Sequence, residues 1–543
     1  MKRLLILAAV GTFVGVAAAA SAAISDPVRT EQGLLSGTTA TGGDVRIYRG
    51  VPFAAPPVGD LRWKAPQAPL GWEGVRRADE FGARCMQGSL GGGGRRGGGA
   101  GREGGGRQGA RQGGQGQQAA AAPPALPPVS EDCLFLNVWT SAASAAARLP
   151  VLVFVHGAGL TGGSGAEARY DGEALSRKGA VVVTINYRLG PFGWLAHPDL
   201  TRESGRNASG NYGLMDAVAS LEWVRANIAS FGGDAQRVMV FGESAGAFQV
   251  AALVASPEAR GLFQRAIAES GAWMGISMGR MTTRAEAEEA SAKMASAMGA
   301  ASIAELRSKS ADEIQQGLRG SGMIVDGAYL PDQPSNIYLQ GRQNAVDLLV
   351  GSNKDEATFF ARPNNTAERW AADARTRFGD LADQYLKLYP AATDEQAQAS
   401  YLEAFSDEMY WHMRIWAEAH AKLGKKAYLY YFTRVPPSAP DQPSRGATHT
   451  AELAYVFNVP NTGRPWEVTD TRLADRMTAY WVNFAATGDP NGTGLPNWPA
   501  LRDRATGRGM ILGHTVATEP APNAAKLSFF DAAFARLQAR ATN

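Results

Sequence analysis

The sequence predicts an α/β fold with a large, mostly parallel central sheet flanked by helices. Three observations carry this. Val151–Val155 and Val181–Ile185 are near-continuous apolar runs, as expected of strands covered on both faces. Between Gly213 and Ser230, the apolar residues Leu214, Val218, Leu221 and Ile228 recur at helical spacing. From residue 134 onward such strands and helices alternate, the order that winds a parallel sheet between helical layers.

Taken in order, the chain begins with a targeting pattern. Met1-Lys2-Arg3 is basic, Leu4–Ala20 is apolar and rich in small residues, and Ala20-Ser21-Ala22 fits a cleavage site. Residues 1–22 are therefore expected to be a signal peptide, and the mature catalytic unit to span 23–543, secreted or periplasmic. No later stretch is apolar for long enough to span a bilayer, which argues against stable membrane insertion. Residues 24–90 hold short strand patterns and turns, with Asp44–Tyr48 alternating like an edge strand and Ala55–Gly59 as a loop. Residues 91–118 are almost all Gly, Arg and Gln, and an Ala/Pro spacer runs to Pro128. Such a segment cannot bury a core, so 91–128 is expected to be a disordered insertion. Its Arg-Gly texture is like that of RNA-binding tails, but it has no aromatic residue on which a base would stack. A net charge of +3 gives no further reason to expect a nucleic-acid partner. The two cysteines, Cys85 and Cys133, suit one disulfide in an exported chain, or two separate buried thiols. Leu134–Trp139 continues the strand series, and residues 283–319 and 367–424 read as helical cap insertions over the sheet's carboxyl edge. The sequence carries no signature of oligomeric state.

The chemistry starts at Phe241-Gly-Glu-Ser-Ala-Gly246. An apolar strand, Val238–Phe241, leads in, and a helix-compatible run, Ala245–Val254, leads out. A serine at a sharp strand-to-helix turn needs small neighbours, and the next N–H, that of Ala245, lies at a helix start where negative charge is stabilised. In a chain with 64 glycines the bare Gly-x-Ser-x-Gly pattern is weak, so its partners matter. A serine hydroxyl needs a base. Of six histidines, His156 belongs to a glycine turn after a strand, His197 precedes a proline, His412 and His420 fall in a helix, and His514 lies in a short apolar strand. His449 remains, presented after a polar, proline-rich loop. The base needs an acid to fix its tautomer, and Asp355 and Glu356 both qualify at the end of the strand that starts at Leu348. The turn His156-Gly-Ala-Gly159 offers the N–H groups of Ala158 and Gly159, which with Ala245 would hold an oxyanion.

These segments resemble the type-B carboxylesterase, cholinesterase-like family of α/β-hydrolases. The resemblance rests on Tyr48–Gly59, Glu131–Trp139, Asn186–Gly193, Gly210–Asp216, Phe231–Asp234, Gly242–Gly246, Asn353–Glu356, and His449 with Glu452-Leu453, in the family's order over nearly the whole mature chain. It implies that Ser244 is the nucleophile, His449 the general base and Glu356, rather than Asp355, the orienting acid. It pairs Cys85 with Cys133, and Arg62 with Glu131 and Arg188 with Asp216 as structural ion pairs. Glu243 and Ser270 would help seat His449. The implied reaction is hydrolysis of a small-molecule carboxylic ester, with no metal or organic cofactor. Three features depart from the family. Ala158 stands where glycine is usual; it still carries the N–H, and the oxyanion hole survives if its backbone avoids positive φ. Phe248 is larger than usual after the elbow, and the Gly/Arg insertion falls inside the cysteine loop. Pro191–Trp194, Trp273 and Phe359-Phe360 suit a gorge lining or core packing equally.

Overall fold

Strand alternation builds two cores, one on each face of the sheet. The computed structural model describes residues 24–88, 125–276, 279–360, 365–439, 442–460, 465–501 and 508–541. The expected signal peptide and residues 91–124 of the insertion lie outside the described residues. Val151, Val153, Val155, Val181, Val183, Val238 and Val240 pack on one face. Leu152, Phe154, Val182, Met239 and Phe241 pack on the other. Successive side chains of a strand point to opposite faces, so a run apolar at every position demands a cover on both sides.

The central sheet has eleven strands among the described residues. They are β1 (Thr38–Thr39), β2 (Arg46–Pro52), β3 (Phe135–Thr140), β4 (Leu149–Val155), β5 (Val181–Ile185), β6 (Gly233–Glu243), β7 (Arg265–Glu269), β8 (Asp347–Asn353), β9 (Ala427–Phe432), β10 (Arg508–Leu512) and β11 (Val516–Pro520). Their spatial order is β11-β10-β9-β8-β7-β6-β4-β5-β3-β2-β1. The strands from β10 through β5 pair in parallel. Antiparallel pairs close both edges. A small sheet of Val28–Arg29, Leu34–Ser36 and Val75–Arg77 stands apart near the N-terminus.

Helices α1 (Tyr212–Asn227), α2 (Ala245–Ala255), α3 (Ala367–Phe378) and α4 (Asp394–Ala421) supply residues to the first core. Helix α5 (Val468–Thr487) covers the opposite face. The expected helical stretch 283–319 forms three separate helices, Arg284–Ala297, Ile303–Ser308 and Ala311–Gly317. Ser302 and Ser310 divide it, because each side chain accepts an N–H at the start of a new helix. His514 lies in the turn between β10 and β11 rather than in a strand. No helix among the described residues is long and apolar enough to cross a membrane.

Cys85 and Cys133 are bonded, with their Cα atoms 4.9 Å apart. Arg84–Cys85 pairs in parallel with Val129–Ser130, beside this disulfide. Both expected ion pairs form. Arg62 meets Glu131 through two bonds of 2.6 and 2.7 Å. Arg188 Nε and Nη2 meet Asp216 at 2.8 and 2.7 Å, and the Arg188 N–H adds a third bond at 2.9 Å. Both partners of this second pair are buried, so removing one strands a charge away from water. Asp216→Ala is predicted to lower stability by about 3–5 kcal/mol in urea denaturation. A loss under about 1 kcal/mol, the range of an exposed pair, would contradict this placement.

Candidate active site

The turn between β6 and α2 is built from close approach. A Cβ on Gly242 or on Gly246 would run into the carbonyl oxygen of Val155 on β4, so only glycine fits either position. Ser244 between them has φ +56° and ψ −123°, a conformation that costs about 1–3 kcal/mol in a non-glycine residue. Two backbone bonds hold it there: the Ser244 N–H donates to Glu269 O at 2.9 Å, and Phe248 N–H donates to Ser244 O at 2.9 Å. The result lifts Ser244 into partial exposure among buried neighbours.

Three distant positions then converge. Ser244 Oγ lies 2.8 Å from His449 Nε2. His449 Nδ1 lies 2.6 Å from Glu356 Oε2. Glu356 Oε1 accepts Ser270 Oγ at 2.5 Å and the Asn353 N–H at 2.8 Å. Imidazole and carboxylate are both buried, at 2% and 0% exposure, so water does not compete for their bond. The geometry separates the two acids that the sequence left open. Glu356 faces the ring, whereas Asp355 accepts the Ala447 N–H at 2.7 Å and anchors the loop that delivers His449. Ser270 reaches Glu356 and not the imidazole, so it acts on His449 one step removed. Glu243 Oε1 lies 3.1 Å from His449 Nε2. Burial opposes a charged His449, but the carboxylates of Glu243 and Glu356 outweigh it and raise the imidazole above its ordinary range. Burial raises Glu243 in turn, against the pull of His449.

The glycine turn corrects one expectation. Ala158 does not avoid positive φ: it sits at +72°, followed by Gly159 at +66° and Leu160 at +62°. The chain is committed to this path because Leu160 O accepts Gly190 N–H at 2.8 Å and Ala158 O accepts Thr161 N–H at 3.3 Å. An alanine there carries roughly 1–2 kcal/mol of strain that a glycine would not. The N–H survives all the same. Among the described residues no loop, turn or cap carbonyl takes the amides of Ala158, Gly159 or Ala245. Ala158 and Gly159 are exposed, and Gly157 is packed against Ser244 and Glu243 so tightly that a Cβ would clash.

The aromatic candidates divide. Phe192 and Trp194 are buried in the core. Phe359 and Phe360 remain 50% and 39% exposed, with ring centroids 5.4 and 4.8 Å from that of His449. Trp273 packs on Phe248 at 4.7 Å and donates its indole N–H to Phe248 O. Sequence reasoning missed Glu269, the register partner of Glu243 on β7, whose carboxylate accepts Trp481 Nε1 at 3.0 Å. It also missed Asn353 as a tie, since Asn353 Nδ2 bonds both Thr448 O and Glu452 beside His449. The Asn353–Glu356 and Glu452-Leu453 motifs were the available signal; nothing in the sequence marks the link from Glu269 to Trp481.

A family model described as "Carboxylesterase family" matches residues 25–530. Fumonisin B1 esterase from Sphingopyxis macrogoltabida is 35% identical over 90% of this chain and 86% of its own. Para-nitrobenzyl esterase from Bacillus subtilis is 33% identical over 92% of this chain and 97% of its own. Among solved structures, a PNB esterase superposes with TM-score 0.74 at 31% identity, covering 92% of this chain and 99% of the other. The chain belongs to the carboxylesterase family and has the α/β-hydrolase fold.

A base must be neutral to accept a proton, so the general-base role expected of His449 predicts that activity rises with pH through its ionisation. The raised imidazole puts that acid limb above the ordinary histidine value of about 6.5. Glu243→Gln removes one of the two carboxylates that raise it, and is predicted to move the acid limb of kcat/KM to lower pH. An unmoved limb in a pH–rate profile would show that Glu243 exerts no field on the base.

Proposed function

We propose that this chain is an exported serine carboxylic-ester hydrolase that acts through an acyl-enzyme on small to medium apolar esters. The observation that carries the reading is the unbroken line of hydrogen bonds from Ser244 through His449 to Glu356, at 2.8 and 2.6 Å. Ser244 Oγ attacks the ester carbonyl while His449 Nε2 takes its proton. Glu356 stays ionised and stabilises the imidazolium. The oxyanion is held by the N–H groups of Ala158, Gly159 and Ala245, and each such donor contributes roughly 10²–10³ in turnover. His449 then gives its proton to the leaving alcohol oxygen. A water, deprotonated by His449, attacks the acyl carbon, and collapse of the second tetrahedral intermediate frees the acid and restores Ser244.

Phe359 and Phe360 favour apolar substrates, because their open ring surface beside the base rewards an apolar group that covers it. Export is supported by the basic and apolar start of the chain and by the Cys85–Cys133 bridge, which suits an oxidising compartment.

Ser244→Ala is predicted to lower kcat for an ester such as para-nitrophenyl butyrate by at least about 10⁴-fold, with an unchanged circular-dichroism spectrum. Turnover within about tenfold of wild type by the folded variant would refute the assignment.

A further inference from the structure

The turn that follows β4 runs left-handed through three successive residues, Ala158, Gly159 and Leu160. Residues held in such conformations persist only where their surroundings over-determine them. Backbone bonds at Ala158 O and Leu160 O secure the middle of the turn. Among the described residues, two side chains from elsewhere secure its ends. At the near end, Tyr187 Oη donates to His156 O at 2.7 Å, and the Tyr187 ring stacks on that of His156 at 4.4 Å between centroids. At the far end, Gln87 meets both backbone groups of Gly163. The Gly163 N–H donates to Gln87 Oε1 at 3.0 Å, and Gln87 Nε2 donates to Gly163 O at 3.0 Å. The second Nε2 hydrogen goes to Cys85 O, also at 3.0 Å. The amide has one orientation that serves, since its nitrogen faces two carbonyls and its oxygen an N–H. Gln87 is 5% exposed, so water does not replace these bonds.

The clamp is itself anchored. Gln87 stands two residues from Cys85, which is bonded to Cys133. Asn186 Nδ2 donates to Ala83 O and Cys133 O at 3.0 and 3.1 Å, while its Oδ1 accepts the Gly165 N–H at 3.0 Å. Thr184 Oγ1, on β5, donates to Gly165 O at 2.8 Å. Gly165 is thus fixed to the sheet, and the turn before it is closed by Gln87. Gly163 passes the constraint inward by close packing. A Cβ on Gly163 would lie 2.5 Å from His156 Nδ1 and 3.1 Å from Gly157 O, and a Cβ on Gly157 would lie 3.1 Å from Ser244 Cβ. The far end of the turn rests on the near end, and the near end rests on Ser244. A shift at Gly163 is therefore felt beside that serine.

We propose that Gln87 is a positioning residue for the reaction. By clamping Gly163 it holds the N–H groups of Ala158 and Gly159 on the carbonyl oxygen that the esterase reading, on which this inference rests, assigns to them. Its own hydrogen bonds go to Cys85 and Gly163, and none goes to Ser244, His449 or Glu356.

The test uses the full chain and para-nitrophenyl butyrate, with active sites counted by complete reaction with a chromogenic organophosphonate. Gln87→Met keeps the length of the side chain and removes all three bonds. It is expected to lower kcat per titrated site about 10²-fold, the scale of one displaced oxyanion donor, with KM within about threefold of wild type. Affinity for an alkyl trifluoromethyl ketone, which the serine converts to a tetrahedral oxyanion, is expected to weaken in step with kcat. The acid limb of the pH–rate profile is expected to stay in place, because the base is untouched. A merely structural role would lower the number of titratable sites and leave kcat per site and ketone affinity as in wild type, and that result overturns the proposal. A loss confined to KM, or a moved acid limb, overturns it too. If Gln87→Met does not fold, Gln87→Asn, which keeps the amide on a stem one methylene shorter, is judged by the same criteria. Recovery of neither variant in folded form would make Gln87 a structural residue and also overturn the proposal. Failure of wild type to hydrolyse the ester would instead count against the esterase reading itself.

Discussion

A buried imidazole bonded to a serine hydroxyl on one nitrogen and to a carboxylate on the other is the interaction around which this molecule is arranged. Its two partners come from the carboxyl ends of β6 and β8, two strands of one parallel sheet with β7 between them. The imidazole itself arrives on a loop after β9, tied down by Asp355 and Asn353. A parallel sheet suits this task because all these strands end at the same edge. The bonds at 2.8 and 2.6 Å fall within reach only because the strands are in register and the elbow glycines let β4 and α2 pack against the turn.

The surroundings of that imidazole are unusually acidic for a protein interior. Glu243, Glu269, Glu356 and Glu452 are each at most 1% exposed. Burial raises Glu243, Glu269 and Glu452. Like charges this close do not all ionise together, so the cluster shares protons and the charge that His449 feels depends on which carboxyls hold them. Glu356 is distinguished by its partners: Ser270, the Asn353 N–H and His449 all meet its carboxylate. The strained backbone at Ser244 and Ala158 is the other cost of the site, and it falls where a hydroxyl and amide protons must be aimed away from the structure that supports them.

Much of this was legible in the sequence, for identifiable reasons. Val151–Val155 and Val181–Ile185 were plain because strands apolar on both faces have few other uses. The strand into the elbow begins at Gly233 rather than Val238, since its early residues Asp234 and Arg237 are ion-paired at the sheet end and carry no apolar signal. The serine, the base and the family's choice of Glu356 came from local motifs. What escaped was contact between residues far apart in the chain. Glu269 and Trp481 are 212 positions apart, and no periodicity joins them. The left-handed path of Ala158 escaped too, because it is fixed by Gly190 from another segment.

The line from hydroxyl to carboxylate is tested most directly by covalent trapping. Treatment with an organophosphonate that mimics the tetrahedral intermediate, followed by peptide mass spectrometry, reports which oxygen is nucleophilic. The expected result is one label per chain on Ser244, gained in step with loss of activity. A label on any other residue, or full inactivation without modification of Ser244, would contradict the account.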